Sequence, residues 1–168
     1  MNNLNNIVAA LGLDKCKTDK ERAAILQEEI ARREADLEPI KEMYQTVFER
    51  IVSEWYNEFT VKYPELESQT SNLDDRIQTA VEVDGVHYYT CIDNFRNELC
   101  CYTIVLEKEK KRSKRIIDKK VLESRNFKSR SVDEEIIFEE FAANDFDGAF
   151  SCFCKIVEML LELTNTQQ

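Results

Sequence analysis

The sequence has 168 residues, of which 43% are hydrophobic and 33% are charged, with only three glycines and two prolines. This length and composition suit one compact globular domain and exclude a disordered, collagen-like or low-complexity chain. No apolar run approaches the roughly 20 residues that cross a bilayer. The first 13 residues carry no lysine or arginine, so they do not match a secretory signal. We therefore expect a soluble, cytoplasmic protein.

The net charge of -10 is distributed unevenly along the chain. Residues 108–130 carry 11 basic and 3 acidic side chains, a net charge of +8, whereas residues 131–168 carry 1 and 9, a net charge of -8. An acidic surface favours basic partners, while the basic segment can attract an anionic one. The alternative is that the acidic surface only keeps the protein in solution and the basic segment is neutralised within the fold.

The N-terminal part, residues 1–64, is predicted to be helical. Residues 2–12 form a short amphipathic helix whose apolar side chains share one face. Thr18 and Glu21 form a capping box, in which each side chain accepts a hydrogen bond from the other residue's amide. This motif predicts that a second helix begins at Thr18.

Apolar residues recur at three- and four-residue spacing between positions 40 and 59, which predicts a long helix with a wide buried stripe. Pro39 cannot lie in an unbroken helix interior, so we expect a break or bend near Asp36. Residues 18–62 are therefore predicted to form a helical hairpin or one kinked long helix. The stripe at 40–59 also offers a face for a homodimer.

A β-hairpin is predicted around Asp84 and Gly85, because this dipeptide supplies the positive φ angles of a two-residue turn. The turn places Val83 opposite Val86. In this register the alternating apolar residues of both strands lie on one face of the sheet.

Further strands follow the hairpin. Residues 99–107 are apolar on both faces, which predicts a central strand covered on both sides. Residues 115–123 are predicted to form an edge strand and residues 134–143 another strand, although Ser131 to Glu134 also fit a helix capping box. With the hairpin, these strands make an antiparallel β-meander of four or five strands over residues 75–143, with a basic insert at 108–130.

A C-terminal helix is predicted over residues 145–164, capped by Asp145 or Asp147 and buried along its apolar face. The whole chain, residues 1–168, is predicted to be a single α+β domain. It combines the N-terminal helices, the antiparallel meander and this packing helix.

The six cysteines are expected to be reduced and buried, because no secretory signal accompanies them. Cys100 and Cys101 would point to opposite faces of a strand, and Cys152 and Cys154 to different sides of a helix. Neither pair can chelate one ion, and no CxxC pair is present to anchor zinc. We therefore expect no metal and no other cofactor.

No catalytic residue is expected. His87 is the only histidine, and it lies roughly 13 Å along its strand from Cys91, too far for a nucleophile–base pair. It is predicted to pair with Glu82 across the hairpin. The sequence has no phosphate-binding loop or zinc-hydrolase motif, and its carboxylates show no pair in contrasting environments. These absences argue against an enzyme.

Small, acidic α+β proteins without catalytic motifs are typical of immunity proteins, phage-encoded inhibitors of defence nucleases and secretion chaperones. We therefore expect a non-enzymatic protein-binding inhibitor or adaptor, and favour one that blocks a nucleic-acid-handling enzyme, of the anti-CRISPR, anti-defence or immunity-protein type. An acidic surface complements the basic channel of such an enzyme. The expected partner contacts are Glu134, Glu135, Glu139 and Glu140, together with Glu28 and Glu34 on the second helix.

Two alternatives stay open. The first is an RNA-binding module in which phosphate contacts come from Lys110, Lys111, Arg112, Lys114 and Arg115. Phe127 is the only aromatic residue in the basic segment, which gives little support for base stacking. The second alternative is a secretion chaperone or a homo-oligomeric structural adaptor built on the long helix.

Overall fold

The computed structural model describes residues 2–32, 38–95, 98–107, 119–127, 130–132, 135–142 and 144–165. Its helices are α1 (Asn2–Leu11), α2 (Asp19–Arg32), α3 (Glu38–Lys62), α4 (Lys119–Ser124) and α5 (Phe146–Asn165), with 3-10 helices at Leu13–Lys15 and Pro64–Gln69. Its strands are β1 (Ser71–Leu73), β2 (Arg76–Val83), β3 (Val86–Phe95), β4 (Glu98–Glu107), β5 (Arg130–Val132) and β6 (Glu135–Ala142).

The strands form one antiparallel sheet in the order β1-β2-β3-β4-β6-β5. Four long strands lie in the middle, and a three-residue strand lies at each edge. The predicted α+β class, with N-terminal helices, an antiparallel meander and a C-terminal helix, is confirmed. None of the helices in the described ranges is long and apolar enough to cross a membrane.

The capping box forms as predicted at the start of α2. The Glu21 amide donates to Thr18 Oγ1 at 3.2 Å, and the Glu21 carboxylate accepts from the amides of Thr18 and Lys17. Pro39 lies in the first turn of α3, where its missing amide hydrogen breaks no helical hydrogen bond. The predicted bend near Asp36 lies outside the described residues.

The Asp84-Gly85 hairpin also forms as predicted. Both residues have positive φ angles, 55° and 75°, and Val83 pairs with Val86. Because side chains alternate along a strand, this register directs the apolar residues of β2 and β3 to the helical layer. The strand predicted at 99–107 is central in the sheet, between β3 and β6.

The core lies between one face of the sheet and helices α3 and α5. The predicted stripe of α3 is buried there, through Ile40, Tyr44, Val47, Phe48, Ile51, Val52, Trp55 and Phe59. Trp55 stacks on Phe150 of α5 with ring centroids 5.9 Å apart. The stripe is therefore part of the chain's own core, and the predicted homodimer face at 40–59 is wrong.

The predicted edge strand at 115–123 is wrong where the structure describes it. Residues 119–124 form helix α4, because Leu122 is buried in the core while a left-handed Asn126 ends the turn. The Phe127 amide then donates to the Leu122 carbonyl at 3.0 Å. The strand predicted at 134–143 is confirmed as β6, whereas β1 and β5 were not predicted.

A row of buried threonines crosses the core face of the sheet. Thr79, Thr90 and Thr103 are opposite one another on β2, β3 and β4. The hydroxyl of Thr90 lies 3.1 Å from that of Thr103, and the hydroxyl of Thr79 lies 3.0 Å from that of Thr70. Each hydroxyl of the row therefore has a hydroxyl partner, Thr90 and Thr103 in each other and Thr79 in Thr70 beside the row.

Candidate functional site

Acidic residues from two elements lie where α3 contacts β1. Glu42, Gln45 and Glu49 are three and four residues apart and so share one face of α3, while Asp74 and Asp75 form the turn after β1. We call the surface made by Glu42, Glu49, Asp74 and Asp75 the acidic edge. The Gln45 side chain links α3 to the turn after β1. Its Nε2 donates to Glu49 Oε1 at 3.3 Å and to the Asp74 backbone carbonyl at 3.4 Å.

A network of polar groups extends the acidic edge across β2, β3 and β4. Arg76 donates from Nε and Nη2 to the two carboxylate oxygens of Asp75, each at 3.0 Å, and this lowers the pKa of Asp75. Asp93 lies 3.6 Å from Arg76, but burial raises its pKa. The Tyr102 hydroxyl is 3.5 Å from Asp93, and burial also raises the pKa of Tyr102.

The opposite side of α3 faces a groove of about 420 Å³ between α3 and α5. This charged groove is lined by Lys20, Lys62 and Lys155, by Glu58, Asp147 and Glu158, and by Phe150, Ser151 and Cys154. Two of its lysines are neutralised across the groove, because Lys20 pairs with Asp147 and Lys62 pairs with Glu158 at 3.0 Å. The lining therefore carries equal numbers of lysines and carboxylates.

Hydrogen bonds and burial shift the pKa values of four groups at the charged groove. The Tyr63 hydroxyl and Lys62 donate to Glu158, which lowers the pKa of Glu158, while interactions with Tyr63 and then Glu158 raise the pKa of Lys62. Burial raises the pKa of Tyr63 to about 12 and that of the Cys154 thiol to about 11. A thiol with such a pKa is protonated at neutral pH, which does not suit a nucleophile.

The predicted acidic contacts fall in two places: β6 carries Glu135, Glu139 and Glu140, and α2 carries Glu28. Strand β6 is separated from β2 by β3 and β4, whereas α2 packs on α3, which contacts β1 and β2. The two sets therefore do not form one surface. Glu28 is exposed and accepts from Arg32 at 2.8 Å, and the predicted contacts Glu34 and Glu134 lie outside the described residues.

The predicted nucleic-acid contacts Lys110, Lys111, Arg112, Lys114 and Arg115 also lie outside the described residues. Among the described residues of the basic segment, Arg125 forms an ion pair with Glu162 of α5. This pair is one instance of the predicted neutralisation within the fold.

The predicted burial is confirmed for four cysteines but is wrong for Cys16, and His87 has its predicted partner. Cys91, Cys101, Cys152 and Cys154 are buried, and Cys16 is half-buried. His87 is opposite Glu82 in the hairpin, with Nε2 3.7 Å from the Glu82 carboxylate. Among the described residues, no group of three or more histidines, cysteines and carboxylates is placed to hold a metal ion.

The acidic edge was not predicted from the sequence. It joins Glu42 and Glu49 to Asp74 and Asp75, which are about 30 positions further along the chain. The spacing of the two glutamates, two helical turns apart on the polar side of α3, is the only local signal of it. No protein family, no curated protein and no solved structure matches this chain.

Proposed function

We propose that the protein is a non-enzymatic inhibitor that binds the basic surface of a nucleic-acid-handling enzyme, as anti-CRISPR, anti-defence and immunity proteins do. The observation that carries this proposal is the acidic edge, where Gln45 links the Glu49 carboxylate of α3 to the backbone of Asp74 in the β1–β2 turn. A protein that competes with nucleic acid must present negative charge to the enzyme's basic channel. The net charge of -10 favours the same kind of partner.

The scaffold of the acidic edge supports this role. Glu42 and Glu49 lie about 10.5 Å apart along the axis of α3. The other side of this helix is buried against the core through Trp55 and Phe48. The positions of the two glutamates are therefore fixed before binding, which lowers the entropy cost of association.

The first experiment identifies the partner. Tagged protein is used to capture its partner from the native host, with and without nuclease treatment. We expect an enzyme with a basic surface to remain bound after nuclease treatment, and its activity on nucleic acid to be inhibited by the wild-type protein. Loss of all captured protein after nuclease treatment would contradict the proposal, because binding would then depend on nucleic acid.

The second experiment compares two charge reversals on one helix. Glu49 and Glu58 are nine residues apart on α3, so they lie on opposite sides of it. Both substitutions, Glu49→Lys and Glu58→Lys, change the net charge equally. We expect E49K to slow association with the captured enzyme several-fold, more strongly at low salt, and E58K to leave it nearly unchanged. Equal effects would show that only net charge matters.

The predicted acidic contacts on β6 and α2 remain part of the proposal as secondary sites. Reversal of Glu139 and Glu140, or of Glu28, measures their contribution in the same association assay. These two sets lie on separate surfaces. If the partner binds through one flat surface, charge reversal in one set should slow association and charge reversal in the other should not.

An RNA-binding module is the second candidate, favoured by the net charge of +8 in residues 108–130. Neutralising Lys110, Lys111, Arg112, Lys114 and Arg115 should then abolish RNA binding, and wild-type affinity should fall steeply with salt. Sub-micromolar binding of an arbitrary single-stranded RNA at about 0.15 M salt would favour this candidate over the inhibitor. The adaptor and chaperone candidates lose their main support, since the 40–59 stripe is buried in the core.

A further inference from the structure

We propose a second binding site, an apolar groove that takes a single-chain aliphatic carboxylate of the fatty-acid type. The alkyl chain would lie between α1, α2 and α3, and its carboxylate would bind the guanidinium of Arg50. This inference is independent of the proposed inhibitor function, because it uses another surface and another kind of ligand.

The groove has the size and lining of a small-molecule site. Its volume is about 350 Å³, and its apolar lining consists of Val8, Leu13, Leu26, Met43 and Val47. Val8 belongs to α1, while Leu26 belongs to α2 and Met43 to α3. Pockets of this volume with predominantly apolar walls and a few polar groups typically bind small ligands.

Two arginines at the rim of the groove share one carboxylate. Arg22 donates from Nη1 to Asp19 Oδ1 and from Nη2 to the Cys16 carbonyl, both at 2.8 Å, so both of its terminal nitrogens are used. Arg50 donates from Nε to Asp19 Oδ2 at 3.0 Å. Within the described part of the chain, the terminal nitrogens of Arg50 have no partner. They remain available at the rim as two donors for a bidentate carboxylate.

The charges at the rim leave Arg50 as the group that can recognise an anion. Arg22 and Arg50 are balanced by two carboxylates, Asp19, which accepts from both, and Asp14, which is exposed at the rim, but Asp19 occupies only Nε of Arg50. Residues 2–11 contain no ionisable side chain, so α1 adds no negative charge that would repel the ligand. An alkyl ammonium of the same length would instead meet Arg50.

Binding of the alkyl chain in the groove is tested by calorimetric titration of the full chain. The ligands are octanoate, nonanoate and decanoate, each below its micellar concentration. Each added methylene that enters the groove should tighten binding about fourfold, as expected from burial of one methylene. Decanol provides the matched uncharged ligand. We expect it to bind more weakly than decanoate, and we expect Arg50→Gln to weaken decanoate about tenfold while leaving decanol unchanged.

Two variants of α3 localise the site. Thr46 is exposed and lines the groove, so Thr46→Trp should block it without disturbing the core. Asn57 is exposed on the same helix outside the groove, and Asn57→Trp is the matched control. We expect T46W to abolish decanoate binding and N57W to retain it, with the same circular dichroism spectrum and unfolding midpoint as the wild type.

Several results would overturn the proposal. The first is that the wild type shows no saturable binding of decanoate at 1 mM. The second is that decanol and decanoate bind equally and R50Q changes neither affinity. The third is that T46W binds decanoate as the wild type does. A homodimer or a captured protein that is lost in T46W, without decanoate binding to the wild type, would assign the groove to another chain.

Discussion

The two sides of α3 carry similar side chains but differ in what those side chains contact. On the acidic edge, Glu42 and Glu49 form no ion pair with any described residue. In the charged groove, Lys62 and Glu158 form a pair between α3 and α5, and Lys20 and Asp147 form another between α2 and α5. Charge on the second side joins helices, whereas on the first side Asp75 pairs with the adjacent Arg76 and the two glutamates of α3 join no other element through an ion pair.

This difference shows why net charge alone does not locate a binding surface. A charged residue contributes to an interface only when the fold has not already paired it. Glu42 and Glu49 of the acidic edge meet that condition, whereas Asp75 is paired with Arg76 and Glu28 with Arg32. The side of α3 away from the charged groove is therefore the better candidate surface for a basic partner.

The largest expected effect comes from removing the core that the two sides of α3 share. Trp55 is 2% exposed and contacts the rings of Phe48, Phe146 and Phe150. Trp55→Ala should lower the free energy of unfolding by about 3–5 kcal/mol, measured by urea denaturation. Val61 is 83% exposed, so Val61→Ala should change it by less than about 0.5 kcal/mol. A loss below about 1 kcal/mol in W55A would show that Trp55 is not part of a packed core.

A smaller effect is expected at the first turn of α2, which supplies Lys20 to the charged groove. Thr18→Ala removes the hydroxyl that accepts from the Glu21 amide, and should cost about 1 kcal/mol of unfolding free energy. Thr18→Ser keeps the hydroxyl and should retain most of the stability. Chemical denaturation of the three proteins measures this difference, and equal loss in both variants would mean that the cap does not stabilise the helix.

The smallest expected effect is at Glu158, whose pKa is lowered by hydrogen bonds from Tyr63 and Lys62. A carboxyl group whose pKa is lower in the folded protein stabilises it above the unfolded pKa, and this contribution is lost as the pH falls through the folded pKa. Glu158 is partly exposed, so Glu158→Gln should cost less than about 1 kcal/mol at pH 7.

The pH dependence of this stability loss shows whether it comes from the ionised Glu158 carboxylate or from side-chain packing. Urea denaturation of the wild type and E158Q should give a stability difference at pH 7 that shrinks as the pH falls below the ordinary carboxyl pKa of 4.5 and through the lowered pKa of the folded state. Tyr63→Phe removes one donor to Glu158 and should reduce the effect of E158Q in the double variant. A difference that persists unchanged at pH 3 would be inconsistent with the assigned pairing.

Local interactions explain which elements were predictable. The Thr18–Glu21 capping box and the Asp84-Gly85 turn each involve neighbours in sequence, and both form with the expected geometry. Their formation requires no knowledge of the rest of the fold. The long stripe of α3 was predictable for the same reason, since helical periodicity alone requires a buried face.

Distant contacts explain the wrong predictions. The β-branched residues of 115–123 favoured a strand, yet residues 119–124 form a helix that buries Leu122 in the core. The core also buries the stripe that was predicted as a homodimer face. The acidic edge depends on the packing of α3 beside β1, which the spacing of residues within either element does not specify.

The buried threonine row affects how many alignments the sheet can adopt. If β3 slid by two residues against β4, apolar side chains would still face the helices, so hydrophobic burial alone discriminates weakly between the two alignments. The slide would however separate Thr90 from Thr103, and each hydroxyl left without a partner would cost about 1–3 kcal/mol. The hydroxyl pairs thus penalise misaligned sheets more than they stabilise the native one, and they give the folding chain one preferred strand alignment among several of similar hydrophobicity.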